Sequence, residues 1–268
     1  MDTALSAAPR RVSFVRFQRL RVLFALVVRE MGTAFGRSVG GYFWAIAEPL
    51  GGILLLSIAF SLAIRTPPMG TSFMLFYATG VVPFSMFNTM SKGVAGAIAS
   101  NKGLLTYPVV STLDAVLAKF VLNFLTIFVV AIVLFTGIIL IGDVDVNLDL
   151  GSAAGAFVLA ALLGLGIGTL NCVLNGFFRT WRNIWSVLTR PLFVLSGIFY
   201  TYQSVPPEFQ VYLWFNPLVH IIGLMRAGFY GTYDASYVSY TYVLGISLGS
   251  FVIGGYLLRR HSSFLIEQ

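Results

Sequence analysis

Charged residues are scarce in this chain. Only 10% of its 268 residues are Asp, Glu, Lys or Arg, and 57% are hydrophobic, whereas soluble domains carry roughly 25% charged residues. A water-soluble fold cannot cover this much apolar surface, so a lipid bilayer must solvate most of the chain. The composition therefore excludes an ordinary soluble domain and predicts an all-α integral membrane protein with one membrane domain over residues 1–268.

Residues that bind metals or act as nucleophiles are also few. Cys172 is the only cysteine, which excludes an intrachain disulfide and a multi-cysteine metal site, and we interpret it as a packing residue. His220 and His261 are the only histidines and lie far apart in the chain. The sequence has no Gly-rich phosphate loop of the Walker type. We therefore expect a protein that is not an enzyme and that binds no metal or cofactor itself.

Ionisable residues are rare within the apolar segments. Glu48 is the only acidic residue inside a predicted span, and Asp114 lies at the edge of another. Ion-coupled carriers usually contain intramembrane ionisable groups, so this scarcity favours a protein whose energy comes from another subunit. An ion-coupled carrier and a membrane-embedded transferase or hydrolase remain as alternatives.

Long apolar segments occupy most of the chain. In lipid, backbone groups must form hydrogen bonds within their own segment, so each is expected to be a helix. Gly164, Gly166 and Gly168 crowd the fourth segment and predict close helix packing. The six predicted transmembrane helices cover residues 44–64, 73–90, 116–141, 153–177, 184–202 and 240–258.

Residues 13–31 predict an amphipathic helix that lies in the plane of the lipid headgroups. At helical spacing, apolar positions share one arc and charged positions share the opposite arc. The apolar arc contains Phe17, Leu20, Phe24, Val27, Val28 and Met31. The charged arc contains Arg16, Arg19, Arg29 and Glu30.

The connection at residues 203–239 is apolar but is interrupted by Pro206, Pro207 and Pro217. It is too apolar for a solvated loop and too broken for another full span. We expect short re-entrant helices on the outer side, because such backbone is tolerated at membrane depth only inside protein or along a wet cavity. This region therefore indicates the exit of a pore.

Lys and Arg residues are concentrated in connections that would share one side of the membrane. They lie in the N-terminal arm, in residues 92–119, in residues 179–190 and at residues 259–260, whereas the other side keeps only Arg65 and Arg226. Cytoplasmic loops are enriched in Lys and Arg, so both termini are predicted to be cytoplasmic. This topology explains the formal net charge of +7 without a nucleic-acid partner.

The cytoplasmic connection Ala99–Pro108 is a candidate docking surface for an energising partner. Asn101 and Gly103 favour a turn there, and Leu104, Leu105 and Tyr107 are expected to be exposed apolar anchors. Burial of these side chains against the bilayer surface is the alternative.

Three blocks of this sequence resemble the inner-membrane permease of capsular-polysaccharide ABC exporters, within the ABC-2 permease superfamily. Length and predicted spans agree with that family over the whole chain. The blocks are Arg29–Gly36 followed by Gly41–Pro49, then Ser91–Ile98 continuing through Asn101–Leu104 and Tyr107, and finally Asn216–His220 reaching Arg226. Pro108 directly follows Tyr107, where capsule permeases are expected to carry a basic residue before the proline.

The resemblance implies a permease in the bacterial inner membrane that exports lipid-linked capsular polysaccharide. A second copy of the chain and a cytoplasmic ATPase dimer, which binds ATP and magnesium, would complete the transporter. A periplasmic adaptor and an outer-membrane channel would continue the route. The ATPase would act on a coupling helix within residues 99–110, and the contact residues would be Arg29, Glu30, Asn101, Lys102, Gly103, Leu104, Leu105, Tyr107 and Pro108.

Aromatic residues are abundant, and we expect some of them to line a conduit for the sugar chain. Rings bind sugar faces while tolerating sliding, although the helix core or an interfacial belt is the alternative for each ring. The candidates are Tyr42, Trp44, Phe84, Phe87, Phe199, Tyr200 and Trp214. Lys92, Lys119 and Arg226 would hold an acidic cargo or else snorkel to the interface.

Arg37 and Glu48 are predicted to form an ion pair at the cytoplasmic mouth of this conduit, the alternative being a solvated Arg37 and an unrelated, hydrogen-bonded Glu48. Related permeases for O-antigen, teichoic-acid precursors or another amphiphile are the nearest functional alternatives.

Overall fold

The computed structural model describes residues 15–35, 41–106, 110–142 and 146–267, and within these ranges it contains helices and no strand. The predicted all-helical class is therefore confirmed for the described chain. The helices are α1 Val15–Phe35, α2 Gly41–Ala63, α3 Phe73–Ala95, α4 Ala97–Leu105, α5 Thr112–Gly142, α6 Leu150–Phe177, α7 Trp181–Leu195, α8 Pro207–Trp214, α9 Pro217–Phe229, α10 Tyr240–Arg260 and α11 Ser262–Glu267.

Five described helical segments are long and apolar enough to cross a bilayer: α2, α3 together with α4, α5, α6 and α10. They match five of the six predicted spans. The remaining one, expected at residues 184–202, is the 15-residue α7, which is about 22 Å long at 1.5 Å per residue. A bilayer core is roughly 30 Å thick, so α7 alone falls short of a full crossing.

Helix α7 is short for reasons visible in its sequence. Arg182, Asn183 and Arg190 interrupt its apolar surface, and the helix ends at Leu195. Two residues later Gly197 has a φ of +82°, a left-handed conformation that favours glycine and turns the chain. The predicted continuation to residue 202 is wrong, because the chain has already left the helix.

Helices α3 and α6 form the centre of the molecule. Within their most apolar windows 72% of residues are buried, compared with 11% in α2. A Cβ at Gly164 would lie 2.4 Å from the Cβ of Met90, and one at Gly166 would lie 2.3 Å from the Ser247 carbonyl. The predicted close packing at these glycines is confirmed, and it joins α6 to α3 on one side and to α10 on the other.

Helix α1 occupies most of the segment predicted to be interfacial. Leu20, Phe24 and Met31 of its apolar arc are exposed, whereas Leu26 and Glu30 are buried. The prediction that Glu30 lies on the solvated polar face is wrong, because its carboxylate pairs with Lys119 of α5. The placement of α1 in the headgroup plane stays a prediction.

Two short helices replace a solvated loop between α7 and α10. Helices α8 and α9 begin at Pro207 and Pro217, where the missing proline N–H costs no hydrogen bond. Nearly all of α9 is buried, and it packs against α3 and α6. The expected short helices are present, and their re-entrant path through lipid stays a prediction.

Candidate functional site

A cavity of about 790 Å³ lies among α2, α3, α5 and α7. We call it the central cavity. Three predicted site residues meet there, namely Glu48 of α2 and Phe84 and Lys92 of α3. Its other lining residues are Ala45, Pro49, Gly52, Leu55, Leu56, Val81, Ser85, Asn88, Thr89, Asn123, Thr126, Ile127, Ser186, Thr189, Arg190 and Phe193.

The wall of the central cavity mixes polar groups with aromatic rings. Asn88 of α3 and Asn123 of α5 each hold a buried polar atom without a hydrogen-bond partner, Oδ1 in the first and Nδ2 in the second. Buried polar groups are normally satisfied, so an unpartnered acceptor and an unpartnered donor beside the same cavity are unusual. Phe84 packs edge-on against Phe193, with their ring centroids 4.9 Å apart. The arrangement suits a ligand with hydroxyl groups and apolar faces.

A second cavity of about 700 Å³ adjoins the first, and Lys92 and Ser186 line both. We call it the basic cavity, because Lys92, Arg179 and Arg182 line it and none of its described lining residues is Asp or Glu. The remaining lining residues are Ala95, Gly96, Ala99, Ser100, Asn171, Asn175 and Trp185. Together the cavities form a polar groove along α3 and α7.

Five polar residues connect α1, α4 and α5, and we call them the Glu30 cluster: Arg29, Glu30, Ser100, Asn101 and Lys119. Lys119 donates to Oε2 of Glu30, while Asn101 donates to Oε1 over 2.6 Å. Ser100 donates to the same Oε1 over 3.4 Å, and Arg29 donates to Oδ1 of Asn101 over 2.9 Å. Since Glu30 is only 3% exposed and Asn101 fully buried, this is an internal tie between three helices.

The contacts of the Glu30 cluster change the interpretation of several predicted residues. Lys119 was expected in the conduit, but it contacts Glu30 and does not line either cavity. Asn101 was expected in a turn, but it lies inside the regular helix α4. That turn prediction is wrong, because the helix buries the Asn101 amide between the Ala97 carbonyl and Glu30.

The predicted docking residues divide between the surface and the core. Lys102 and Gly103 are exposed and Leu104 is half-buried. Leu105 is 7% exposed and packs in an apolar cluster with Ala115 and Leu258. The expectation that Leu105 is an exposed anchor is wrong, since α5 and α11 pack against α4. Tyr107 and Pro108 lie outside the described residues.

Arg226 was expected to contact cargo, but its guanidinium is 1% exposed. It donates to the carbonyl oxygen of Tyr200 over 2.6 Å and to that of Ile198 over 3.1 Å. It also lies 4.3 Å from the centroid of the Phe76 ring, a cation–π distance. Arg226 thus holds the chain that follows α7 against α9 and α3.

The remaining conduit candidates are distributed over the molecule. Phe87 is buried beside Phe84, and Phe199 packs against Phe60 and Tyr77. Tyr200 is half-buried. Among the six predicted aromatic residues whose side chains are described, Phe84 is the one that lines the central cavity.

Two of the seven lie at the periphery. Trp44 is 67% exposed, and the half-buried Trp214 of α8 donates its indole N–H to the Tyr237 carbonyl over 3.2 Å. Burial raises the pKa of Tyr237, so its phenol is neutral at physiological pH.

The side chain of Tyr42 is outside the described part, as is Arg37. The predicted ion pair of Arg37 with Glu48 therefore stays a prediction.

Sequence analysis missed most polar residues of the groove. Ser85, Asn88 and Lys92 recur at spacings of three and four along α3, so one face of a largely apolar helix is polar. That pattern was available in the sequence. Arg190 of α7 and Asn123 of α5 had no comparable signal, because only packing of these helices brings them to the same cavity.

The chain is similar to known proteins over most of its length. The sequence model described as "ABC-2 type transporter" matches residues 21–230. The chain is 32% identical over 245 residues to the polysialic acid transport protein KpsM of Escherichia coli, covering 91% of this chain and 95% of that protein.

Two further relatives cover most of the chain. The identity is 30% over 250 residues with the capsule polysaccharide export inner-membrane protein CtrC of Neisseria meningitidis serogroup B, covering 92% of this chain and 94% of CtrC. It is 26% over 243 residues with the O-antigen export system permease protein RfbA of Klebsiella pneumoniae, covering 85% and 90%.

Proposed function

Because this chain belongs to the ABC-2 type transporter family, we propose that it is the permease subunit of an ATP-driven exporter of lipid-linked capsular polysaccharide. The observation that carries this proposal is near full-length similarity to relatives named for polysialic acid transport and capsule polysaccharide export. The relatives' names also support a place in the bacterial inner membrane. Five long apolar helices agree with that location.

The groove supplies chemistry that suits a sliding sugar chain. Amide and hydroxyl groups of Asn88, Asn123 and Thr126 line the central cavity, and they exchange hydrogen bonds with sugar hydroxyls. Phe84 and Phe193 offer apolar ring surfaces at the same wall. Many weak contacts of this kind hold a polymer without fixing it at one position.

A second copy of the chain would complete the passage. Helix α2 has only 11% of its apolar window buried, yet it carries Glu48, an expensive group to expose to lipid. The central cavity lies along this helix. A homodimer formed near α2 would shield Glu48 and enclose the cavity between two copies.

The energy would come from a cytoplasmic ATPase dimer that binds ATP and magnesium. In this proposal the ATPase docks near the exposed face of α4, where Lys102 and Gly103 lie. The Glu30 cluster then transmits movement of α4 to α1 and α5. This chain contributes binding, orientation and a path, and the nucleotide chemistry belongs to the partner.

The proposed topology places both termini in the cytoplasm. It requires α7 and the chain through residue 202 to cross the membrane together, with Arg226 anchoring the carbonyls at residues 198 and 200. The outer region of α8 and α9 would then face the periplasm. There a periplasmic adaptor and an outer-membrane channel would receive the polymer.

Reconstitution with the ATPase tests this function. The tagged chain, co-expressed with the ATPase subunit of the same export system, is expected to purify with it and to move lipid-linked polysaccharide into vesicles only when ATP is present. An ATPase whose Walker lysine is substituted serves as the matched control. Transport by the purified chain alone would contradict the proposal.

The similarity to RfbA makes lipid-linked O-antigen the second candidate cargo. Adding O-antigen and capsular polysaccharide to the same vesicles distinguishes the two candidates, because the preferred polymer will reduce transport of the other.

A further inference from the structure

The basic cavity contains more hydrogen-bond donors and positive charge than its surroundings neutralise. Lys92, Arg179 and Arg182 bring three cations to it. No described side chain forms an ion pair with any of them, since the described part of the chain has its salt bridge at Lys119 and Glu30. All three side chains are exposed, and three cations that form no ion pair with a described residue at the mouth of one cavity favour an anionic occupant.

The neutral groups of this cavity point to the same kind of occupant. The indole N–H of Trp181 donates to Oδ1 of Asn171 over 2.9 Å, which orients the amide and leaves Nδ2 without a partner. Asn171 is only 2% exposed, so water outside the cavity does not solvate this N–H₂ group. The indole N–H of Trp185 is likewise buried and unpartnered.

Asn175 differs from the other neutral groups of the basic cavity, because its unpartnered atom is an acceptor. The ligand must therefore also carry a donor. The Nδ2 of Asn175 donates to the Ala95 carbonyl over 3.3 Å, and its Oδ1 is buried without a partner. Besides its serine hydroxyls, which donate and accept, the cavity offers several unpartnered donors and one unpartnered acceptor among the described side chains. A phosphate ester with a neighbouring hydroxyl matches this set, because its charged oxygens form ion pairs with Arg and Lys, which a neutral sugar cannot do.

We propose that the basic cavity binds a phosphate-ester headgroup. Arg179 and Arg182 provide guanidinium groups whose planar donor pairs fit phosphate oxygens, and Lys92 adds a point charge between this cavity and the central cavity. If the proposed function is correct, the occupant is the phosphate of the cargo's lipid anchor. It would be held here while the sugar chain enters the central cavity. The headgroup of an anionic membrane phospholipid offers the same chemistry.

Binding of a short-chain lipid to the full chain in octaethylene glycol monododecyl ether micelles, which contain no phosphate, tests the site. The probe is dihexanoyl phosphatidylglycerol, and dihexanoylglycerol, which lacks phosphate, is the ligand control. The double variant Arg179→Gln/Arg182→Gln is expected to weaken probe binding by at least about tenfold, because charge-assisted hydrogen bonds are lost. Trp185→Phe, which keeps the ring and removes one donor, is expected to weaken it by about two- to fivefold.

A matched double variant controls for total charge. Arg259→Gln/Arg260→Gln removes two arginines from the end of α10, outside the cavity, and is expected to leave probe binding unchanged. If both double variants lose probe binding equally, the overall positive charge of the protein attracts the probe, and the proposal is overturned. Unchanged binding in Arg179→Gln/Arg182→Gln would overturn it too.

Competition identifies the source of the phosphate and separates this inference from the proposed function. Extracted lipid-linked polysaccharide that displaces the probe, and loses this ability when its lipid phosphate is hydrolysed, identifies the cargo anchor. A polymer that never competes, with the probe still bound, identifies a membrane phospholipid. Wild-type protein that exports nothing while the probe binds contradicts the function alone. Normal export and normal binding by Arg179→Gln/Arg182→Gln contradict the inference alone.

Discussion

Glu30 shows how a single buried charge can organise three helices. Its carboxylate accepts hydrogen bonds from Lys119 and Asn101, and Ser100 contributes a longer one. A buried ion pair gains little over an apolar pair of the same shape, but removing one member leaves an uncompensated charge. The pair is therefore better suited to fixing the relative positions of α1, α4 and α5 than to adding stability.

Substitution of one member of this pair is expected to destabilise the protein. Lys119→Met leaves the Glu30 carboxylate unpaired, and the loss should be near the lower end of about 3–5 kcal/mol, since the Lys119 side chain retains 17% exposure. Thermal denaturation in detergent measures it. Glu30→Gln/Lys119→Met should recover most of the loss, and Arg259→Met is the control. A double variant as unstable as Lys119→Met would contradict the pairing.

Asn88 gives the opposite expectation, because its buried Oδ1 has no hydrogen-bond partner among the described residues. Asn88→Leu should leave the melting temperature unchanged or raise it, while ATP-dependent export falls by about two- to tenfold through loss of one hydrogen bond to cargo. Export per molecule of purified protein is the readout, and Asn183→Leu, on the exposed side of α7, is the control. A lower melting temperature with unchanged export would contradict the placement of Asn88 in the conduit.

At the scale of elements, α6 is the central helix against which α3, α9 and α10 pack. Its glycines make this possible, because their missing side chains let neighbouring backbones approach. Gly164 and Gly168 face α3, and Gly166 faces α10. Small residues therefore alternate between the two sides of α6, and each interface depends on its own glycines.

Gly164→Ala tests this packing. The new Cβ would lie 2.4 Å from the Cβ of Met90 and 2.9 Å from the Phe87 carbonyl oxygen, so we expect a loss of about 1–3 kcal/mol in the free energy of unfolding. Unfolding by sodium dodecyl sulfate in mixed micelles measures it. Gly249→Ala in α10 is the matched control, because no atom lies within 4 Å of its added Cβ. Equal effects would show that helix propensity, not packing, sets the outcome.

The exposed face of α4 is the element on which coupling to the ATPase would depend. An added Cβ at Gly103 meets open space, so Gly103→Trp should fold normally and abolish co-purification of the ATPase by steric exclusion. Gly245→Trp, at another open position in α10, should retain the ATPase. Normal ATPase recovery with Gly103→Trp would place the docking surface elsewhere.

For the whole molecule, the number of membrane crossings depends on α7. The predicted cytoplasmic location of both termini needs an even number of crossings, and five long helices supply an odd number. The 15 residues of α7 are too few alone, so the turn held by Arg226 would have to lie within the membrane.

Labelling of introduced cysteines decides this point. In a Cys172→Ala background, Asp234→Cys in intact cells should react with a membrane-impermeant maleimide, and Thr180→Cys should react only after lysis. Both positions are exposed, so access from the membrane side controls the reaction. Labelling of both residues from the same side would mean that α7 does not cross.

The sequence by itself determined the membrane class, five of the spans and the packing role of the α6 glycines. These features depend on hydrophobicity over about 20 residues and on side-chain size, which are local properties. The family resemblance is equally local, because it rests on three short blocks of residues at Arg29–Pro49, Ser91–Tyr107 and Asn216–Arg226.

Only the tertiary structure decided which polar residues meet. Lys119 and Glu30 are 89 residues apart in sequence, and Arg226 and Ile198 are 28 apart, so no periodicity within one helix reveals either contact. A charged group in an apolar segment must find a partner, but helix packing determines which partner it finds. The same packing assembles the central and basic cavities from several helices, and thereby sets what this protein can bind.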